Sequence, residues 1–101
     1  MAAFLTPERV RAEIKTRTTR PLKYVRMADG TLRFIDVLSN FSHADVVAPG
    51  ESAVSAGIIG IDGDAFAIFK RGSDTLRIGA REDDADVLAA ALGLRHNAGL
   101  P

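Results

Sequence analysis

A histidine and a carboxylate two residues apart are the first candidates for chemistry in this chain. His43 is followed by Asp45 within a stretch of small and polar residues, SHAD at residues 42–45. An imidazole titrates near neutral pH and can therefore act as a general base or a general acid. A histidine in such a stretch can also have an ordinary packing role, and the sequence leaves both interpretations of His43 open.

A short run that begins at Arg71 has the groups needed to hold an anion. Arg71 supplies a guanidinium, Gly72 leaves backbone N–H groups accessible, and Ser73 and Thr75 supply hydroxyls. Guanidinium groups and the N–H groups of a turn both bind phosphate or carboxylate. The sequence therefore predicts a site for a small anion at Arg71, Gly72 and Ser73, although ordinary hairpin chemistry explains the same residues equally well.

Several other kinds of site are excluded by composition and spacing. The chain has no Cys and two His, which removes thiol nucleophiles, thiolate zinc sites and most imidazole metal sites. Asp62 and Asp64 lack the further ligands of a calcium loop. Gly57, Gly60 and Gly63 match neither a dinucleotide fingerprint nor a phosphate-binding P-loop, both of which require a helix immediately afterwards. We therefore predict neither a metal nor a cofactor.

Two β-hairpins are the clearest structural elements in the sequence. Apolar and polar residues alternate over residues 22–37 on either side of Asp-Gly at 29–30, a pair that supplies the positive φ of a two-residue turn. A second hairpin is predicted over residues 54–69 around Asp-Gly at 62–63. Its strands have apolar residues on both faces, as expected for strands in the middle of a sheet.

Two helices complete the predicted fold. Thr6 and Pro7 are typical of a helix start, and a helix with a thin apolar stripe should run from residue 7 to about 16, exposed to solvent. Acidic residues at 82–84, an apolar face and Gly93 predict a second helix over residues 81–92. The predicted class is α+β: a four- to five-stranded, mostly antiparallel sheet with the C-terminal helix packed on it and a basic N-terminal helix.

The domain boundaries follow from these elements. Residues 1–20 are predicted to form a basic helical arm, residues 21–93 a single α+β domain and residues 94–101 a flexible tail. Residues 39–52 are interpreted as a loop with one or two helical turns at most. A turn at residues 70–74 and a short strand at 75–79 are expected before the last helix.

Three short stretches within this order of elements resemble the Janus/Ocnus family of small phosphohistidine phosphatases. They are LKYV at residues 22–25, SHAD at 42–45 and GSDTLRIG at 72–79. The resemblance extends over roughly residues 22–92. It implies that His43 would serve as the catalytic base and that Gly72 and Ser73 would help to bind phosphate.

Charge is divided unevenly along the chain and bears on its partners. Residues 1–33 contain eight Lys and Arg against three acids, whereas residues 34–101 contain five against ten. Either the two halves attract each other within the fold, or the basic segment binds an acidic partner. One aromatic residue, Tyr24, lies among the early basic residues, a pattern that does not favour nucleic acid.

No apolar run is long enough to cross a membrane, and the absence of Cys suits a reducing compartment, so we expect a soluble cytoplasmic protein.

The sequence favours a non-enzymatic binding or regulatory domain over an enzyme, because no catalytic motif is complete. Its expected partner is another protein, a second copy of the chain, or a small anionic ligand. Self-association through the oppositely charged halves would weaken as salt is added. The alternative is a phosphoryl-handling enzyme in which His43 is the base and Arg71, Gly72 and Ser73 hold phosphate.

Overall fold

The computed structural model describes residues 4–14 and 21–97 of the chain. In chain order these residues form α1 (Pro7–Ile14), β1 (Leu22–Met27), β2 (Leu32–Asp36), a 3₁₀ helix (His43–Val46), β3 (Ala53–Asp62), β4 (Ala65–Lys70), β5 (Gly72–Ser73), β6 (Ile78–Gly79), α2 (Asp84–Leu92) and β7 (Arg95–His96). The predicted α+β class, with an N-terminal and a C-terminal helix, is confirmed.

Five strands form one sheet in the order β2-β1-β3-β4-β7, and β5 pairs with β6 separately. Neighbouring strands in the large sheet are antiparallel except β4 and β7, which are parallel. The apolar strand β3 lies at the centre, as predicted from its two apolar faces. In this position β3 can contact residues that pack on either face of the sheet.

The two Asp-Gly turns form as predicted, with one difference in length. Gly30 has a φ of 90° and Gly63 a φ of 62°, values that residues with a side chain rarely adopt. In the first hairpin the Met27 N–H donates to the Thr31 carbonyl at 2.8 Å, so the loop has three residues where the sequence predicts two. The second hairpin pairs Asp62 with Ala65 and keeps a two-residue loop.

Each face of the sheet has its own apolar core. Both helices pack on one face, whose buried residues include Tyr24, Phe34 and Phe66. The opposite face contains a smaller cluster, whose buried residues include Val25 and Ile35. The 3₁₀ helix and the β5–β6 pair contribute side chains to this second cluster, so both predicted site segments are attached to the same face.

Four segments differ from their predictions. The second helix begins at Asp84, where the sequence predicts residue 81. Val10 of α1 is fully buried in the core and Ile14 packs against it, so the apolar stripe anchors this helix while its polar face is exposed. Residues 15–20 of the predicted arm lie outside the described residues. Leu94 is buried, and residues 95–96 form β7 beside β4, so this part of the predicted flexible tail belongs to the sheet. Residues 72–79 form a small hairpin in place of a turn followed by one strand.

Candidate functional site

His43 lies at the start of the 3₁₀ helix and is 5% exposed. Ser42 precedes this helix, and its backbone N–H donates to the Asp45 carboxylate at 2.7 Å, which closes the first turn. The His43 Nε2 lies 2.8 Å from the Gly57 carbonyl oxygen of β3. Because a carbonyl only accepts hydrogen bonds, Nε2 carries the proton and donates it. The imidazole is therefore bound to the central strand and covered from solvent.

The surroundings of His43 favour its neutral form. Burial is the main reason that the pKa of His43 is lowered from 6.5, and the nearby charges of Lys23 and Lys70 lower it further. The hydrogen bond to Gly57 and the charge of Asp74 act in the opposite direction. A neutral ring at physiological pH is suited to a general base, but its low exposure limits the access of a substrate.

The three residues of the predicted anion site have different environments. Arg71 is exposed, whereas Gly72 and Ser73 are buried. Gly72 has a φ of 148°, and a Cβ there would lie 3.0 Å from the Ile78 carbonyl, so this position requires glycine. The Ser73 hydroxyl accepts a hydrogen bond from the Leu76 N–H at 3.2 Å. Of the three residues, only Arg71 presents its side chain to solvent.

The fold brings the two predicted sites next to each other. The Ala44 N–H donates to the Thr75 hydroxyl at 3.3 Å, and this hydroxyl lies 3.2 Å from the Ser73 Oγ. The residue that follows His43 is thus hydrogen-bonded to the turn that follows Ser73. Both sites could be predicted from the sequence. Their contact depends on the bend between β4 and β5, which no sequence pattern indicates.

Arginines in the described residues fall into two groups. Five have a carboxylate within salt-bridge distance, and three have none within residues 4–14 and 21–97. The paired arginines are Arg9, Arg11, Arg26, Arg33 and Arg95. The three others, Arg71, Arg77 and Arg81, are exposed and all belong to one segment of eleven residues. We call residues 71–81 the arginine hairpin.

Pairing within the arginine hairpin brings the backbones of Arg71 and Arg81 close to each other. Gly72 pairs with Gly79, and the Ala80 N–H donates to the Arg71 carbonyl at 3.4 Å, so Arg81 follows the residue opposite Arg71. Arg77 ends the turn with a φ of 56°, a left-handed conformation that is uncommon for residues other than glycine. Two exposed arginines therefore lie at the base of the hairpin and one at its turn.

A buried carboxylate that the sequence interpretation missed lies at the start of α2. Asp84 is 1% exposed and accepts four hydrogen bonds. The donors are the Tyr24 hydroxyl at 2.6 Å, the Ser55 hydroxyl at 2.7 Å, the Arg81 N–H at 3.1 Å and the Arg26 guanidinium at 3.1 Å. With its oxygens bound in this way, Asp84 is a structural centre that ties α2 to β1 and β3.

The groups around Asp84 stabilise one another. Arg26 also binds Asp83 through two hydrogen bonds, at 2.7 and 3.1 Å, which raises the pKa of Arg26 and lowers that of Asp83. Burial and the bond to Asp84 raise the pKa of Tyr24 well above its usual range. Arg71 is near enough to oppose this shift electrostatically, so the arginine hairpin begins beside the network.

The division of charge along the sequence is partly resolved by internal pairing. Arg26 binds acids at the start of α2, and Arg33 binds Glu51 through two hydrogen bonds, at 2.5 and 2.7 Å. The Arg33 bonds lower the pKa of Glu51 to about 2. These two arginines from the basic first third thus attract acids of the later residues, as one of the two charge interpretations requires.

A surface groove of about 470 Å³ lies elsewhere, between the start of α1 and the first hairpin. Phe4, Pro7, Asp29 and Leu32 are among its lining residues. None of the predicted site residues lines it, so the predicted chemistry and this groove are separate.

Comparison of the chain with protein-family models, curated proteins and solved structures finds no match. The resemblance to the Janus/Ocnus family therefore stays a prediction based on three short stretches. Among the described residues, no group of three or more His, Asp or Glu side chains could hold a metal ion. No helix in the described parts of the chain is long and apolar enough to cross a membrane.

Proposed function

We propose that this chain is a non-enzymatic binding domain that recognises an oxyanion, a phosphate or carboxylate group, through the arginine hairpin. The observation that carries this proposal is the contrast among the arginines. Five of those described are paired with carboxylates, and the three without a salt bridge are exposed and lie within one segment of eleven residues. Arginine binds oxyanions through two parallel N–H groups, so exposed guanidiniums on one hairpin suit such a ligand.

The hairpin has a fixed base from which these side chains extend. Leu76 and Ile78 pack against the second core cluster, and Thr75 is hydrogen-bonded to the 3₁₀ helix. The Ser73 hydroxyl is used within the turn itself. A scaffold held in this way reduces the conformational entropy lost on binding.

The same contacts favour binding over catalysis. His43 is 5% exposed, and its Nε2 is bonded to Gly57, while Ser73 is 4% exposed. A general base must come within hydrogen-bond reach of the reacting group, and neither side chain faces the solvent beside the arginines. The phosphoryl-handling alternative would require the 3₁₀ helix to move before His43 could act.

The test is a titration with sodium sulfate and sodium phosphate, followed by backbone amide NMR. We expect the shifts to concentrate on residues 71–81 and the affinity to fall by about tenfold for each of Arg71→Gln, Arg77→Gln and Arg81→Gln. Arg9→Gln is the matched control, because it removes the same charge from an exposed, paired position of α1.

Two outcomes would overturn the proposal. One is the absence of anion-dependent shifts in the hairpin at low ionic strength, where electrostatic binding is strongest. The other is an equal loss of affinity in Arg9→Gln, which would indicate a general effect of net charge. Turnover of a phosphoryl substrate that is lost in His43→Gln would favour the enzyme instead.

A further inference from the structure

We infer that His43 makes the attachment of the arginine hairpin to the sheet sensitive to pH, so that acid loosens the hairpin and weakens its hold on an anion. The second half of this inference rests on the proposed function, while the first half stands on the geometry of His43 alone. The device consists of the 3₁₀ helix, the central strand β3 and the turn of the hairpin.

The second ring nitrogen of His43, Nδ1, is the atom that acid must protonate. Because Nε2 donates to the Gly57 carbonyl at 2.8 Å, the neutral ring has an unprotonated Nδ1. Acid must therefore place its proton on Nδ1 of a ring that is 5% exposed. A charged imidazolium is costly to bury unless an anion compensates for it.

Charged side chains from several elements lie near the His43 ring. Lys23 comes from β1 and Lys70 from β4, while Asp74 comes from the hairpin. Asp74 is already paired with Lys70 at 2.9 Å. On the ring's own helix, Asp45 accepts the Ser42 N–H at 2.7 Å. Two ammonium groups thus oppose the imidazolium, and both carboxylates already have a partner.

The 3₁₀ helix connects His43 to the arginine hairpin. The Ala44 N–H donates to the Thr75 hydroxyl at 3.3 Å, next to the Ser73 Oγ that closes the turn. Val46 shares the second core cluster with Leu76 and Ile78 of the hairpin. Displacement of the 3₁₀ helix would therefore remove a hydrogen bond and apolar contacts from the hairpin together.

The direction of the pH dependence follows from linkage. The folded state disfavours the protonated ring, so the unfolded or loosened state binds more protons. The stabilising effect of His43 is full above its ordinary pKa of 6.5 and is lost as pH falls through the lower pKa of the folded state. The hairpin should therefore be attached at neutral pH and loosened in acid.

The experiment compares wild type, His43→Gln and His96→Gln between about pH 7.5 and about pH 5. Gln can donate an amide N–H to Gly57 without titrating, and His96 is the other histidine, exposed on β7. Attachment of the hairpin is measured as the amide protection factor of residues 44, 75 and 76, which is the intrinsic exchange rate at each pH divided by the observed rate. Sulfate is the ligand probe, because its charge does not change over this range.

We expect lower protection factors in acid for wild type and for His96→Gln, together with a sulfate affinity that falls by up to about tenfold for each pH unit below the midpoint. His43→Gln should keep both its protection factors and its affinity. If His43→Gln does not fold, Lys70→Gln provides the second test: loss of one opposing charge should raise the midpoint toward 6.5. Acid dependence in His43→Gln equal to that of wild type would overturn the inference, and so would an unchanged midpoint in Lys70→Gln.

Failure of this inference can be distinguished from failure of the proposed function. Sulfate binding of equal strength at both pH values, with unchanged amide protection factors, would reject the pH-sensitive attachment and leave anion binding intact. Absence of sulfate binding at about pH 7.5 would reject anion binding, while exchange at residues 44, 75 and 76 would still test the attachment.

Discussion

The network around Asp84 and the arginine hairpin begin beside each other but use charge differently. In the network, Arg26 donates to both Asp83 and Asp84, and the hydroxyls of Tyr24 and Ser55 donate to Asp84. In the hairpin, three exposed guanidiniums have no carboxylate partner within residues 4–14 and 21–97. Buried charges need partners from the chain itself, whereas exposed charges are satisfied by water and remain free for a ligand. The network therefore stabilises the fold, whereas the hairpin arginines are the residues that we propose to bind an anion.

The largest expected effect comes from the buried carboxylate. Asp84→Asn replaces one acceptor oxygen with a donor in front of groups that also donate. We expect the free energy of unfolding to fall by about 3–5 kcal/mol, measured by urea denaturation. Asp86→Asn, at an exposed position of the same helix, should change it by less than about 0.5 kcal/mol. Similar losses in both variants would contradict the structural role of Asp84.

Tyr24→Phe removes one donor from the same network. The loss of a hydrogen bond to a charged group should lower the free energy of unfolding by about 1.5–3 kcal/mol at neutral pH. Because the pKa of Tyr24 is raised in the folded state, its stabilising effect is present below pH 10.0 and is lost as pH rises further. If Tyr24→Phe loses as much stability at alkaline pH as wild type does, another group must cause the alkaline destabilisation.

Gly57→Ala tests the point where the two regions meet. A Cβ there would come within 2.7 Å of the Tyr24 ring and close to the Lys70 carbonyl, and the Gly57 carbonyl holds His43. We expect a loss of about 1–3 kcal/mol in urea denaturation and a His43 pKa nearer 6.5 by NMR titration. Gly79→Ala is the control, because a Cβ at Gly79 meets nothing within 4 Å. Equal stability of the two variants would show that β3 has room to adjust.

The smallest expected effect on stability belongs to the arginine hairpin. Arg71→Gln, Arg77→Gln and Arg81→Gln should each change the free energy of unfolding by less than about 0.5 kcal/mol, since none removes a salt bridge between described residues. Arg26→Gln makes the same chemical change in the network and should be clearly more destabilising, because it removes contacts to two aspartates. A stability loss in the hairpin variants equal to that of Arg26→Gln would remove the distinction between the two regions.

Most of the fold could be predicted because its signals are local. Asp-Gly turns between alternating strands indicate the two hairpins, and Gly93 adopts the left-handed φ of 65° expected after a helix. The strand β7 could not be predicted, since a pair of residues in a parallel ladder has no periodicity of its own. The bend that places β5 and β6 on the second core cluster likewise depends on packing rather than on local pattern.

The candidate site was predicted only in part, for a related reason. His43 and Arg71 could be named from their chemistry, but the burial of His43 depends on contact with Gly57, fourteen residues away. Acidic residues at 82–84 have the usual composition of a helix start, so nothing nearby distinguishes buried Asp84 from its exposed neighbours. The sequence of β1 does contain a signal for this network. Tyr24 and Arg26 lie on the same face of the strand, so that face ends in polar groups that need partners.

Short pairings lie at both sides of the five-stranded sheet. Leu5 exchanges two backbone hydrogen bonds with Phe34 on the β2 edge, and the two-residue strand β7 pairs with Ala65 and Phe66 of β4 and is itself the other edge. An uncovered strand edge can pair with a strand of another chain and begin aggregation. These short pairings therefore help to keep the sheet from extending into a neighbouring molecule. Resistance to aggregation thus depends in part on contacts that add little to the apolar core.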